Sequence, residues 1–441
     1  MILLFEKKNN ILDSFVIAGV IIFFSINILF SSGQIRPDSI QYFLQAQDFW
    51  NYKVNFPLGY SFYIKIFSLI TSNYFIASKL INILSYLTVI FFSYKKKFFF
   101  PQTILIFSFY PFVNFYFLSL SEPLFYLFNY LIIYVIYKII EKGFSTKYTF
   151  SLGALFFFLI SVRFSGLFIF FTAILFLGFI TYKKKYSLKS FFTVFTISSI
   201  GVFSYLIINY CYCGFILGQR KHLKLINASG SGIEFTSKLA LSTFKHFSFL
   251  NIFISKGIIS RISFLNVWIS ASILIISFVI VWKKRKKLNY FNYYLLFSLL
   301  GITASLVYSF YTTKIDDNIR IKSNVYLYLL FFLSLNISKN AVNYCKIFLI
   351  IALYINIFTV VEYSKSIFYH IKKYEVLISN SHDKTIEILY EDLNDNTIKS
   401  HAQILFFKTI LIDKGYKIYE GEKKPNPKVS KYHIKASDII E

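Results

Sequence analysis

Apolar stretches recur from about residue 11 to residue 362, and at roughly 17 to 25 residues each is long enough as a helix to cross a hydrocarbon core. A soluble core has no use for so many such segments. The chain therefore reads as an all-α polytopic membrane protein. Composition agrees, with 56% of the 441 residues hydrophobic and 15% charged, far from the globular average.

The formal charge of +26 has two possible meanings, nucleic acid or membrane topology. The lysines sit in short knots between apolar runs and form no continuous basic domain, which argues against nucleic acid. Lys7-Lys8, Lys95-Lys96-Lys97, Lys183-Lys184-Lys185 and Lys283-Lys284-Arg285-Lys286-Lys287 fall at alternate helix junctions, as the positive-inside rule requires of cytoplasmic loops. Phe and Tyr are abundant throughout, at 56 and 35 residues, so aromatic clusters carry little functional weight. The three cysteines, Cys211, Cys213 and Cys345, form neither a disulfide framework nor a paired zinc pattern.

The segment from 11 to 30 is too long for a secretory leader and reads as a first span with the N-terminus cytoplasmic. The stretch from 31 to 70 lies outside and carries the amphipathic run from Asp38 to Trp50, which suits interfacial helices. Spans follow at about 73–94, 98–116, 122–138, 149–162, 165–182 and 189–209. An external segment at 210–260 leads to an eighth span before the Lys283 knot, and three more follow at about 290–310, after Ser323, and at 345–362. The total is about eleven transmembrane helices in a domain from 1 to 362, and an odd number leaves residues 363–441 outside. There, Thr385-Ile386-Glu387-Ile388-Leu389 and Tyr416-Lys417-Ile418-Tyr419 read as strands of a small extracytoplasmic α/β domain.

Ionisable side chains near hydrocarbon are costly and are functional candidates for that reason. Asp38, Lys79, Glu122, Arg163 and Arg320 all map to the outer ends of spans. Asp38 follows Pro37 and suits the first turn of a short helix, a role compatible with proton acceptance from an attacking hydroxyl. Glu122 follows Ser119 and Ser121, either of which can cap a helix, and Pro123 suits its first turn. Arg163 has apolar flanks and no acidic sequence neighbour, and its paired N–H donors suit a phosphate. Asp316, Asp317 and Arg320 lie in a polar loop where solvated charge is the plain alternative. The six histidines show no metal-ligand spacing.

These residues occur in the order Pro37-Asp38-Ser39 with Tyr42, Pro57-Leu58-Gly59-Tyr60, Ala77-Ser78-Lys79-Leu80-Ile81-Asn82, Ser121-Glu122-Pro123-Leu124, Ser161-Val162-Arg163 with Gly166, and Asp317-Asn318-Ile319-Arg320. The order, spread over about residues 10 to 340, resembles the glycosyltransferase C superfamily, in particular the branch of protein O-mannosyltransferases and the lipid A aminoarabinose transferase. The resemblance implies an enzyme of the bacterial cytoplasmic (inner) membrane that takes a sugar from a polyprenyl-phosphate donor on the extracytoplasmic face and passes it to a lipid, glycan or protein hydroxyl with inversion. It assigns Asp38 as the base, with Tyr42, Tyr60, Lys79, Glu122, Arg163 and Arg320 binding substrate. The chain departs from many relatives in having Ser39 where an acidic pair is common and Lys79 where Arg is common. The resemblance leaves a divalent metal open, although no ligand motif in the sequence supports one, and it fixes no cofactor.

A polysaccharide polymerase or a flippase of lipid-linked glycans is also polytopic, aromatic-rich and lysine-edged. Either leaves the early external Asp38 and the Pro57 to Tyr60 motif without a task.

Overall fold

The computed structural model describes residues 2–30, 34–52, 56–217, scattered positions from 268 to 283, 288–313, 319–363, 366–379, 384–391, 396–399, 401–421 and 432–440. Apolar runs become helices in the order α1 (Ile2–Leu29), α2 (Pro37–Gln47), α3 (Leu58–Thr71), α4 (Tyr74–Lys96), α5 (Phe100–Phe107), α6 (Tyr110–Tyr116), α7 (Glu122–Lys142), α8 (Thr146–Val162), α9 (Gly166–Lys184) and α10 (Leu188–Cys213). Beyond the basic knot at 283–287 come α11 (Tyr290–Thr313), α12 (Ile319–Asn336), α13 (Lys339–Tyr363) and α14 (Ile367–Ile378).

Among the described residues, seven helices are long and apolar enough to cross a membrane: α1, α4, α7, α9, α10, α11 and α13. The chain is thus a multi-pass membrane protein, with four of the expected eleven spans outside that set. The expected eighth span and the 210–260 segment fall largely outside the described residues. The fifth is α8, an unbroken but short 17-residue helix. The tenth, α12, carries Arg320, Lys322, Ser323 and Asn324 near its start and is less apolar than the others.

The expected third span is a correction. Residues 98–121 return along the bundle as two short helices, with a break at Ser108 and Phe109 and a non-helical stretch at 117–121. Pro111 has no N–H to continue a helix from the preceding turn, and α6 starts afresh around it. Irregular backbone survives at membrane depth only where protein covers it, and residues 115–121 are buried. Side chains help to satisfy the carbonyls that lack helical donors: Lys79 Nζ donates to Phe117 O at 2.6 Å, and Asn82 Nδ2 donates to Leu118 O, which also accepts from Leu120 N at 3.0 Å.

Small residues allow the remaining helices to approach closely. Gly153 of α8 and Gly201 of α10 meet backbone to backbone, and a Cβ on Gly201 would collide with the Gly153 carbonyl. Gly59 of α3 sits against the end of α8, where an added Cβ would lie 2.6 Å from the Ser161 carbonyl oxygen. α1 and α13 are joined by a buried ion pair, Lys346 to Asp13.

The two ends of the bundle differ in charge. At one end, Lys184 Nζ donates to Ile140 O and lies 5.2 Å over the Tyr290 ring, while Phe99, just past the Lys95 knot, stacks on Phe291 at 5.8 Å. α4, α7 and α9 all finish there, on Lys95-Lys96, Lys142 and Lys183-Lys184. Their first residues lie at the other end, where the C-terminal unit also docks. That unit contains β1 (Thr385–Leu389), α15 (Asn396–Lys399), α16 (Ala402–Asp413), β2 (Lys417–Gly421), β3 (His433–Lys435) and α17 (Ala436–Ile440). Both predicted strands are present. β1 is the centre of a parallel sheet of order β2-β1-β3, with Ile386 and Ile388 fully buried. α16 reaches the membrane helices through Asp413 Oδ1, which accepts from Tyr74 N at 2.7 Å. Gln47 Nε2 donates to Ile412 O at 3.3 Å, and Phe406 packs on Phe75 at 5.6 Å.

Candidate functional site: a four-residue charge cluster

Each charged side chain of the site stands at an element's end, where backbone groups are free and the chain leaves the apolar interior. Asp38 occupies the first turn of α2 after Pro37, where its charge complements the helix dipole. Glu122 opens α7, followed by Pro123. Arg163 ends α8 in extended backbone, and its carbonyl accepts from Gly166 N at 3.0 Å to form the tight turn into α9. Arg320 is the second residue of α12.

The fold brings these four together. Arg163 donates through Nη1, and Arg320 through Nε, to the same oxygen of Glu122. Arg320 also donates through Nη1 to Asp38 Oδ2. Two carboxylates and two guanidiniums make a formally neutral chain, Arg163–Glu122–Arg320–Asp38. Pairing offsets the desolvation that would make any one of them prohibitive near hydrocarbon. Arg163, which has no acid beside it in sequence, finds its counter-charge across the bundle in Glu122 and also lies 5.7 Å over the Phe125 ring.

The two acids differ in access. The Glu122 side chain is 0% exposed and the Asp38 side chain 29%. Glu122 is the hub that sets the spacing of the two arginines, and Asp38 is the carboxylate a solute can reach. Both guanidiniums are partly exposed.

Tyr42, one turn beyond Asp38, and Tyr60 of α3 lie buried beneath the cluster, ring to ring at 4.9 Å in an edge-to-face contact. The Tyr42 hydroxyl pairs with Ser121 Oγ at 3.2 Å. Burial raises the Tyr42 phenol above its ordinary value; Arg320 opposes that shift while Glu122 and Asp38 add to it, so the hydroxyl keeps its proton. Tyr60 donates to Asn82 Oδ1 at 3.2 Å. Lys79 stands on the neighbouring α4, its Nζ on the Phe117 carbonyl and 4.9 Å over the Phe75 ring.

The expected serine cap of α7 is not made by a side chain. Ser121 is engaged by Tyr42, and Ser119 Oγ accepts from Ser78 Oγ at 2.8 Å. Sequence reading missed Ser78, Asn82 and Tyr205 as site-forming residues. The Tyr205 hydroxyl accepts from Leu58 N at 2.9 Å and so anchors the start of α3 beside Gly59. Ser78 and Asn82, four residues apart on an apolar helix, are a polar stripe that could have signalled them.

Asp316, Asp317 and Asn318 fall outside the described residues. Among the described residues, no three His, Cys, Asp or Glu side chains converge in a way that could hold a metal ion. Fold and cluster together define a polytopic membrane protein with a formally neutral four-residue charge cluster at the end of the bundle opposite the lysine-rich helix ends at 95–96, 142 and 183–184. Comparison with known proteins returns no matching family model, no matching curated protein and no matching solved structure.

Proposed function

We propose that the chain is an integral membrane glycosyltransferase that moves a sugar from a polyprenyl-phosphate donor to a hydroxyl acceptor on the extracytoplasmic face, with inversion. One observation carries this reading. Asp38, Glu122, Arg163 and Arg320, from four separate elements, meet at the end of the bundle away from the lysine knots. By the positive-inside rule the lysine end is cytoplasmic, so the cluster and the C-terminal unit face outward.

The chemistry suits the groups. The acceptor oxygen attacks the anomeric carbon as Asp38 takes its proton, and the bond from that carbon to the phosphate oxygen breaks with both electrons going to the phosphate. A single displacement inverts the configuration. The leaving polyprenyl phosphate needs positive charge more than a proton, and Arg163 and Arg320 supply it from fixed positions in a poorly solvated site. Glu122 holds the two guanidiniums at a constant separation, while Tyr42 and Tyr60 form the floor. The exposed apolar side chains Phe62, Ile66, Leu69 and Ile70 on α3 offer a lipid-facing surface for the polyprenyl tail. A flippase would leave the reachable Asp38 without a proton to accept.

The test is transfer from radiolabelled polyprenyl-phosphate hexoses and pentoses in membranes carrying the protein. Asp38→Asn is expected to lower transfer by about 10²–10⁴-fold, the range for a lost general base, with insertion and expression unchanged. Full transfer by that variant removes the assignment of a base.

A further inference from the structure

The non-helical stretch at 117–121 delivers the chain directly into Glu122, and neighbouring side chains hold four of its five residues. Lys79 Nζ holds the carbonyl of Phe117, Asn82 Nδ2 that of Leu118, Ser78 Oγ the hydroxyl of Ser119, and Tyr42 that of Ser121. Three of the four holding side chains come from one turn of α4, positions 78, 79 and 82, which share a helix face. Neither carbonyl has a helical donor: Lys79 serves that of Phe117, and Asn82 adds a side-chain donor to that of Leu118, which also accepts from Leu120 N at 3.0 Å. The stretch these side chains hold runs straight into Glu122, which receives Arg163 and Arg320 on one oxygen.

We propose that Ser78, Lys79 and Asn82 are positioning residues: α4 braces the 117–121 stretch so that Glu122 sets the spacing of Arg163 and Arg320. This rests on the phosphate-binding reading above only where ligand affinity is concerned. Lys79 acts on the donor phosphate through Glu122, from behind, and its carbonyl contact is the link.

The full chain in lipid nanodiscs provides the test, with hydrogen exchange of the amides at 117–122 and 163–167 followed without ligand and the Kd for undecaprenyl monophosphate measured in parallel. Loss of a buried hydrogen bond is expected to speed exchange in both segments about tenfold in Lys79→Met and to weaken the Kd by a similar factor. Lys79→Arg, which can still donate to the Phe117 carbonyl, restores all three readouts. Ser78→Ala and Asn82→Leu act in the same direction and provide the test should Lys79→Met fail to fold.

A fall in affinity with exchange unchanged at 117–122 overturns the brace, since Lys79 would then be touching the phosphate itself. Faster exchange confined to 117–122, with 163–167 and affinity unaffected, overturns it too, because the contacts would then serve only the local backbone. Should the wild-type chain bind no undecaprenyl monophosphate, the phosphate reading falls. The brace is then decided by exchange at 163–167 in Lys79→Met: acceleration supports it and constancy overturns it.

Discussion

Arg320 reaches Asp38 across 282 residues of chain, and the same guanidinium holds Glu122 through its Nε. One side chain thus joins the reachable acid to the buried one, and the two acids respond differently to substitution.

Glu122→Ala leaves two partly buried guanidiniums facing each other without their shared counter-charge. Breaking a buried pair in this way costs about 3–5 kcal/mol, so thermal unfolding in detergent should show a large loss. Asp38→Asn removes a partner that is 29% exposed and should cost about 1 kcal/mol or less. Equal losses in the two variants would contradict the hub role of Glu122.

Gly59→Ala places a methyl group 2.6 Å from both the carbonyl oxygen and the hydroxyl of Ser161. α3 or the end of α8 must shift, at about 1–3 kcal/mol for overpacking. Arg163, two residues beyond Ser161, shifts with it. Adding Ser161→Gly removes the hydroxyl clash but not the carbonyl clash, so the double variant should remain destabilised in the same unfolding assay.

Asp413 links the C-terminal unit to the first turn of α4. Burial pushes its carboxyl from the ordinary 3.8 up to about 7, with the Tyr74 and Phe75 amides and Asn73 pulling the other way. A carboxyl raised in the docked state keeps its proton where a solvated one has lost it. The docked state therefore binds more protons between about pH 4 and pH 7, and stability falls as pH rises through that window, by up to about 4 kcal/mol. The unfolding midpoint should be higher near about pH 5 than near about pH 8, and Asp413→Asn should flatten the difference. A midpoint that rises with pH would refute the docked geometry.

The Asp13 and Lys346 pair between α1 and α13 is almost wholly buried. Removing either charge alone strands the other in an apolar setting and should cost about 3–5 kcal/mol, whereas replacing both by Leu and Met should be near neutral. A double-mutant cycle on unfolding free energy measures the coupling, and additive losses would show that the pair does not act as a unit.

Much of the architecture can be read from the linear chain because a bilayer imposes length and polarity directly on sequence. The positions of α1, α4, α7, α9, α10, α11 and α13, the alternation of lysine knots, the short amphipathic α2 and the strands at 385–389 and 417–421 follow from apolar length, charge placement and periodicity. The break between α5 and α6 was less legible. Residues 98–116 are apolar enough to span, and only the cover from neighbouring helices makes an irregular path there affordable. The serine caps expected for α7 failed for a similar reason, since Ser119 and Ser121 found partners on α4 and α2.

The lysine edges and the few unneutralised charges at the opposite helix ends are thus properties of the sequence by itself, because hydrocarbon penalises each charge wherever the chain places it. That Glu122 gathers Arg163 and Arg320 while Asp38 stays within reach of solvent was decided only in three dimensions. Charges hundreds of residues apart acquire a partner through helix packing, and close approaches such as Gly59 on Ser161 and side-chain bonds such as Lys79 on Phe117 set which partner each one meets.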